Sequence, residues 1–224
     1  ASTLQAQVNM SRYITLTVAK DSAIKLNFKA AADGTPVRIV SGSTTQNITV
    51  GTNWYRGYYQ NPFTVTADGN TMTVYGDITS FDCELNYANL TALDVSNNTQ
   101  LTYLSCYDNK LTALDLSHNT ELTDLVCDDN KFSTAALDDI YCTLPDRTGK
   151  ANGRIQPIYD SSSSDTAIVA ATNAQNAIAK NWGVIYRLLS TDIATTGTYV
   201  CGTSHANMDT YIVLTVAKDS AIKL

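Results

Sequence analysis

The chain has almost no glutamate. Of its 21 acidic residues only Glu84 and Glu121 are Glu, and the rest are Asp. Glutamate favours helix interiors, whereas aspartate favours turns and caps. With 13 Tyr, and Thr at about one residue in seven, the composition leans to strands and turns and excludes a helical bundle or coiled coil. Charged residues are also scarce, at 16%, so polarity has to come from Thr, Ser and Asn. No basic run occurs, and the net charge is −6, so no nucleic-acid partner is expected. No apolar run approaches the roughly 20 residues of a membrane span. The longest, Ala167 to Ala171, is far shorter, and no membrane span is expected. The opening ASTLQAQ lacks the basic and apolar regions of a leader, as in a mature form. Histidine is limited to His118 and His205. H-E-x-x-H, G-x-S-x-G and a phosphate loop are missing, and Ser204-His205 gives adjacency without a triad. C-x-x-C is absent, and Asp128-Asp129-Asn130 lacks Ca²⁺-loop spacing. The expectation is a protein that is not an enzyme, with no metal and no cofactor.

What the 224 residues do contain is self-similarity at two scales. LTALDVSNNTQ from Leu90 aligns with LTALDLSHNTE from Leu111, and LTYLSCYDNK from Leu101 aligns with LTDLVCDDNK from Leu122. The period is 21 residues, in halves of 11 and 10 that read L-x-x-L-x-(V/L/C)-x-x-N. Ile78, Phe81, Cys83 and Asn86 form a degenerate earlier half. In an extended segment alternate side chains point to opposite faces. Leu104 and Cys106 therefore face inward, and Tyr103, Ser105 and Tyr107 outward. Each Asn falls at a bend, where its amide can satisfy backbone groups. Stacked units place strands about 4.8 Å apart in parallel, which predicts a solenoid with a short strand on two sides.

These residues resemble the leucine-rich repeat family, in its 21-residue class with L-x-x-L-x-C-x-x-N-x-L-x-x-L-D-L as the unit, the IRREKO type. Asp94 and Asp115 fill the family's Asp position, and Cys106 and Cys127 its Cys position. Phe81 and Phe132 stand where Leu is usual and look like cap adaptations. The resemblance covers about a quarter of the chain. It implies a secreted or outer-surface protein of a Gram-negative, Bacteroides-like bacterium, with a protein or glycan as partner.

The longer repeat joins NMSRYITLTVAKDSAIKL, from Asn9, to NMDTYIVLTVAKDSAIKL, from Asn207. Fifteen of eighteen positions are identical at an offset of 198. The expected fold class is mixed β with some α. A small β-sandwich-like domain spans 1–77, with Asp68-Gly69 as a hairpin turn. The solenoid spans 78–132 and an α/β cap 133–189. The cap has a helix from the N-cap Ser133 to Pro145, a strand at Ile155–Tyr159, a helix over about 165–180 with Ile168, Ala171, Ala174 and Ile178 on one face, and a strand from Trp182. Residues 190–206 read as a linker and 207–224 as a partial second copy of the first strands.

Three clusters are candidates for function. Cys83, Cys106 and Cys127 stand at matching repeat positions, as a ladder of buried thiols, with a metal site or disulfide as the alternative use. A Cys142–Cys201 bond is left open. On the Cys-bearing strands the outward residues Asp82, Glu84, Tyr103, Tyr107, Asp124 and Asp128 make an acidic patch with two tyrosines, suited to sugars or basic side chains. The segment with Trp54, Tyr55, Tyr58 and Tyr59 is the densest aromatic stretch. The expected function is non-enzymatic protein or glycan binding at the cell surface. The alternative is a structural tandem unit, or self-association by strand exchange through 207–224.

Overall fold

The computed structural model describes residues 7–56 and 63–202. Within them twelve strands and three short helices form a mixed β structure with two sheets and no closed barrel. The strands are β1 (Tyr13–Val18), β2 (Ala23–Ala30), β3 (Thr35–Ser41), β4 (Thr44–Val50), β5 (Phe63–Thr66), β6 (Thr71–Tyr75), β7 (Ile78–Asp82), β8 (Leu90–Asp94), β9 (Tyr103–Ser105), β10 (Asp124–Val126), β11 (Gly153–Ile158) and β12 (Trp182–Tyr186). The helices are α1 (Thr134–Thr143), α2 (Thr166–Ala170) and α3 (Gln175–Ile178). One sheet runs β4-β3-β6-β1-β8, the other β12-β11-β10-β9-β7-β2-β5.

The consecutive strands β1 and β2 lie in different sheets, each between two neighbours. Their alternating Ile14, Leu16 and Val18, then Ile24, Leu26 and Phe28, enter one continuous core. Strands on both sides of residue 77 share these sheets, because β7 pairs with β2 and β8 with β1. The turn at Asp68-Gly69 does not close a hairpin. β5 pairs with β2 and β6 with β1 and β3, so the turn carries the chain from one sheet to the other. Asp68 instead accepts hydrogen bonds from the amide and hydroxyl of Ser43.

From β7 onward the second sheet is parallel: β7, β9, β10, β11 and β12 lie side by side. Period-2 alternation buries Phe81, Leu104 and Leu125, with Cys83, Cys106 and Cys127 just beyond them. The three thiols are free, and burial pushes each above its ordinary range. After each Cys the chain bends through a left-handed residue, Leu85, Asp108 and Asp129, and reaches a buried Asn. Asn109 Nδ2 donates to the carbonyls of Cys83, Cys106 and Tyr107 at 3.0, 2.9 and 3.2 Å. Asn130 does the same one turn later, with Cys106, Cys127 and Asp128. Asn86 donates to Cys83 and, at 2.9 Å, to Lys25 of β2, whose amide it accepts at 2.7 Å. Before each strand a threonine ladder runs the same way, Thr102 Oγ1 donating to Thr79 O and Thr123 Oγ1 to Thr102 O.

The second strand of the 21-residue unit is present once. β8 is a strand because β1 pairs with it, whereas 111–115 has no ladder partner among the described residues. Asp94 and Asp115 each accept the amide two residues on, from Ser96 and Ser117.

In the last part of the chain Ser133 caps α1, its hydroxyl oxygen accepting the Ala136 amide. The helix expected over about 165–180 is two short ones. Thr172 Oγ1 donates back to Val169 O, Asp138 takes the Asn173 amide, and the incoming Thr196 and Gly197 amides bond Ala170 O and Thr172 O. A side chain at Gly197 would sit 2.2 Å from the Ala171 carbonyl. Ala174 faces inward as expected, while Ala171 and Ile178 are exposed and Val169 and Ala177 fill the core instead. The described part of the expected linker, 190–202, packs down through Ile193 and Tyr199, and Cys201 is bonded to Cys142.

Asn109→Ala removes three buried hydrogen bonds and is expected to cost about 2 kcal/mol in urea unfolding. The Cys83, Cys106 and Tyr107 carbonyls each keep another donor, in Asn86, Asn130 and the Leu85 amide. Asn97→Ala removes one bond, to Ser96 Oγ, and should stay within about 0.5 kcal/mol.

Candidate functional site

The parallel sheet has one face in the core. Its other face carries aligned side chains that strand register sorts into rows. The first row is Lys29, Ser80, Tyr103, Asp124 and Arg154. The second is Asn27, Asp82, Ser105, Val126 and Gln156. A third, past the strand ends, holds Glu84, Tyr107, Asp128 and Arg187.

The expected acidic patch lies on this face, but most of it is covered. Asp82, Ser105, Tyr107, Val126 and Asp128 are buried, and Glu84, Tyr103 and Asp124 are partly exposed. The cover on the third row is Arg187. Its guanidinium lies 3.8 Å from the Tyr107 ring centre and 4.7 Å from that of Tyr159. Its Nε donates to Asp128 Oδ2 at 3.0 Å and lies 3.0 Å from Oδ1. Tyr107 is therefore half of a clamp around an arginine, not an open stacking surface. Burial pushes the Asp128 carboxyl up, to about 7, against the pull of Arg187. Among the described residues Asp82 has no such cation. Its carboxylate accepts the Glu84 amide at 3.0 Å, and burial together with the Glu84 charge pushes it up to about 8. Glu84 is raised too, mainly by burial, against hydrogen bonds from Tyr107 and Ser105.

The accessible groups are in the first row. Trp54 meets Tyr103 edge to face, ring centres 5.5 Å apart, and Lys29 Nζ lies 4.8 Å from the Trp54 ring centre. Arg154 Nε donates to Asp124 Oδ1 at 2.7 Å, and a second guanidinium nitrogen also contacts that oxygen. The aromatic stretch and the sheet face thus meet at one pair of rings. Tyr55 does not join them: it packs on Phe28 and Phe63 and supports the core. Tyr58 and Tyr59 lie outside the described residues, as does His205. Lys29, Tyr159, Arg154 and Arg187 were not singled out in the sequence, because only the register of β11 and β12 brings the two arginines to this face.

A hollow of about 570 Å³ lies elsewhere, against β3 and β4, lined by Val8, Met10, Pro36, Arg38, Asn47 and Ile48 among others. No acid, histidine or thiol is among its described lining residues. Among the described residues no group of three His, Cys, Asp or Glu could hold a metal ion, and no helix is long and apolar enough to cross a membrane. The chain matches no protein-family model, no curated protein and no solved structure.

Two outcomes follow. Folded Asp82 keeps its proton where the unfolded chain, with an ordinary Asp near 4, has lost it. The folded state binds more protons in that interval, so stability falls as pH rises from about 4 to about 8. Asp82→Asn should flatten the fall between pH 5 and 8.5 in urea titrations, and an unchanged slope would assign it to other groups. Arg187→Met leaves Asp128 buried without its cation and should cost about 3–5 kcal/mol. Arg154→Met, on the exposed pair, should cost under about 1 kcal/mol.

Proposed function

We propose that residues 78–132 are a short leucine-rich-repeat solenoid and that the protein is a non-enzymatic binding module of the cell surface or the extracellular space. The observation that carries this reading is the meeting of Trp54 and Tyr103 on one sheet face, with Lys29, Asp124 and Arg154 beside them. Rigid rings give contact area at low entropy cost, and charges of both signs around them give directional hydrogen bonds. Such a strip suits the face of a sugar or a polar protein epitope. The solenoid part of the reading is supported by the parallel strands at near-21-residue steps and by the corner asparagines that bond back to the preceding turn. The Cys142–Cys201 bond favours an oxidising compartment outside the cytoplasm. No bound cofactor enters the proposed binding.

The labelled chain, applied to glycan arrays and to arrays of extracellular protein domains, should give hits that weaken tenfold or more in Trp54→Ala and in Tyr103→Ala. Asp115→Ala, on the other side of the repeat, should bind as the parent does. Hits that survive both aromatic substitutions would remove the strip as the binding site.

A further inference from the structure

The geometry points to β4 as a contact strand: two copies of this chain pair β4 against β4, antiparallel, about a two-fold axis at Asn47. The inference is independent of the ligand reading. It is also a different contact from strand exchange through 207–224, which lie outside the described residues.

β4 is the end strand of its sheet, with β3 on one side. A strand in that place presents a row of unpaired main-chain groups, and proteins guard it with short length, charge, proline, a bulge or a covering segment. The seven residues of β4, TTQNITV, carry no charge and no proline, and all of them pair with β3 without a shift of register. Among the described residues no further main-chain bond reaches Thr45, Asn47 or Thr49. The hollow of about 570 Å³ opens beside Asn47, Ile48 and Thr49. The other end strands differ. β5 has four residues, β8 ends on Asp94, and β12 is met at Ile185 by Asp192.

β3 and β4 are joined by the two-residue turn Gly42-Ser43, with Ser41 facing Thr44 at its mouth. In such a hairpin the closing pair exchanges hydrogen bonds, and so does every second pair after it. Thr44, Gln46, Ile48 and Val50 therefore direct N–H and C=O to β3. Pro36, with no N–H to give, stands opposite Thr49, one of the alternate pairs that exchange no bonds. Thr45, Asn47 and Thr49 direct their N–H and C=O away from the molecule, three donors and three acceptors along one edge. One antiparallel self-pairing uses all of them. It sets Thr45 against Thr49 of the second copy, Asn47 against Asn47, and Thr49 against Thr45.

The side chains agree with that register. Thr45, Asn47 and Thr49 are exposed, and threonine against threonine stabilises an antiparallel ladder. On the other face Ile48 and Val50 meet Gln46 and Thr44. No charge faces a like charge along the pairing, which suits a chain whose net charge of −6 opposes contact between its acidic surfaces. The two five-stranded sheets become one continuous sheet.

Residue 47 lies on the axis and supplies the test. The mass of the parent chain, by sedimentation or light scattering, should rise from monomer to dimer with concentration. Asn47→Lys sets two ammonium groups opposite each other, and Asn47→Asp two carboxylates. Like charges in that position oppose pairing, so each variant should weaken the dimer tenfold or more. Neither touches the core, and both should melt as the parent does at low concentration. Mixed together, the two variants should form a heterodimer, because each new lysine then faces an aspartate. A chain with both Thr45→Lys and Thr49→Asp should dimerise with itself, whereas one with both Thr45→Lys and Thr49→Lys should not. A parent chain still monomeric at about 1 mM overturns the inference. So does a dimer that Asn47→Lys leaves intact, or a mixture of the two variants that yields no heterodimer.

Discussion

The parallel strands β7, β9 and β10 each end in a corner whose carbonyls turn inward, and one asparagine amide per turn bonds them. Buried carbonyls without a donor cost too much to be left so, and the rest of the architecture depends on this provision. Asn109 and Asn130 each bond carbonyls of their own corner and of the turn before. Asn86 stands at the start of the series, where the neighbour is β2, and it bonds both backbone groups of Lys25. The same side chain that links turn to turn thus links the first turn to the antiparallel strands. On the second corner Asn119 donates to Val95 and Asn98. Asn98, one turn earlier, is wholly buried, and neither atom of its side-chain amide has a hydrogen-bond partner among the described residues.

The outer face is shaped by what it costs to bury charge. Asp128 is fully covered and keeps Arg187 as its counter-ion, held flat between two tyrosine rings. Asp82 is covered with no cation beside it among the described residues, and burial raises its carboxyl to about 8. Both solutions close the middle and one side of the face. The side left partly open is the row from Lys29 to Arg154, where the exposed charges are paired or set against aromatic rings.

Much of this was legible before any coordinates. The inward Cys and Leu positions follow from a period of two, the Asn corners from the repeat, and the start of α1 from a serine ahead of an apolar stripe. What periodicity reports is the face on which a side chain lies, and it is silent on what lies over that face. Tyr107 and Asp128 are on the predicted face and are nevertheless buried, because Arg187 arrives from the end of β12, 59 residues beyond Asp128. Asp68-Gly69 marked a turn correctly, but a turn signal does not say which strands its flanks will join. The Ala-rich stretch from 165 to 180 had helix-forming residues throughout, and it breaks where Thr172 and Asn173 meet the returning chain at Thr196 and Gly197.

The Cys142–Cys201 bond joins the end of α1 to the end of the described chain across a sequence separation of 59. Everything between them, including β11, α2, α3 and β12, lies inside that covalent loop. A mechanical pull applied beyond Cys201 passes through the sulfurs into α1 and bypasses the loop. The end of the parallel sheet that carries Arg187 is thereby shielded from tension, and the strain falls on α1 and the turns ahead of it.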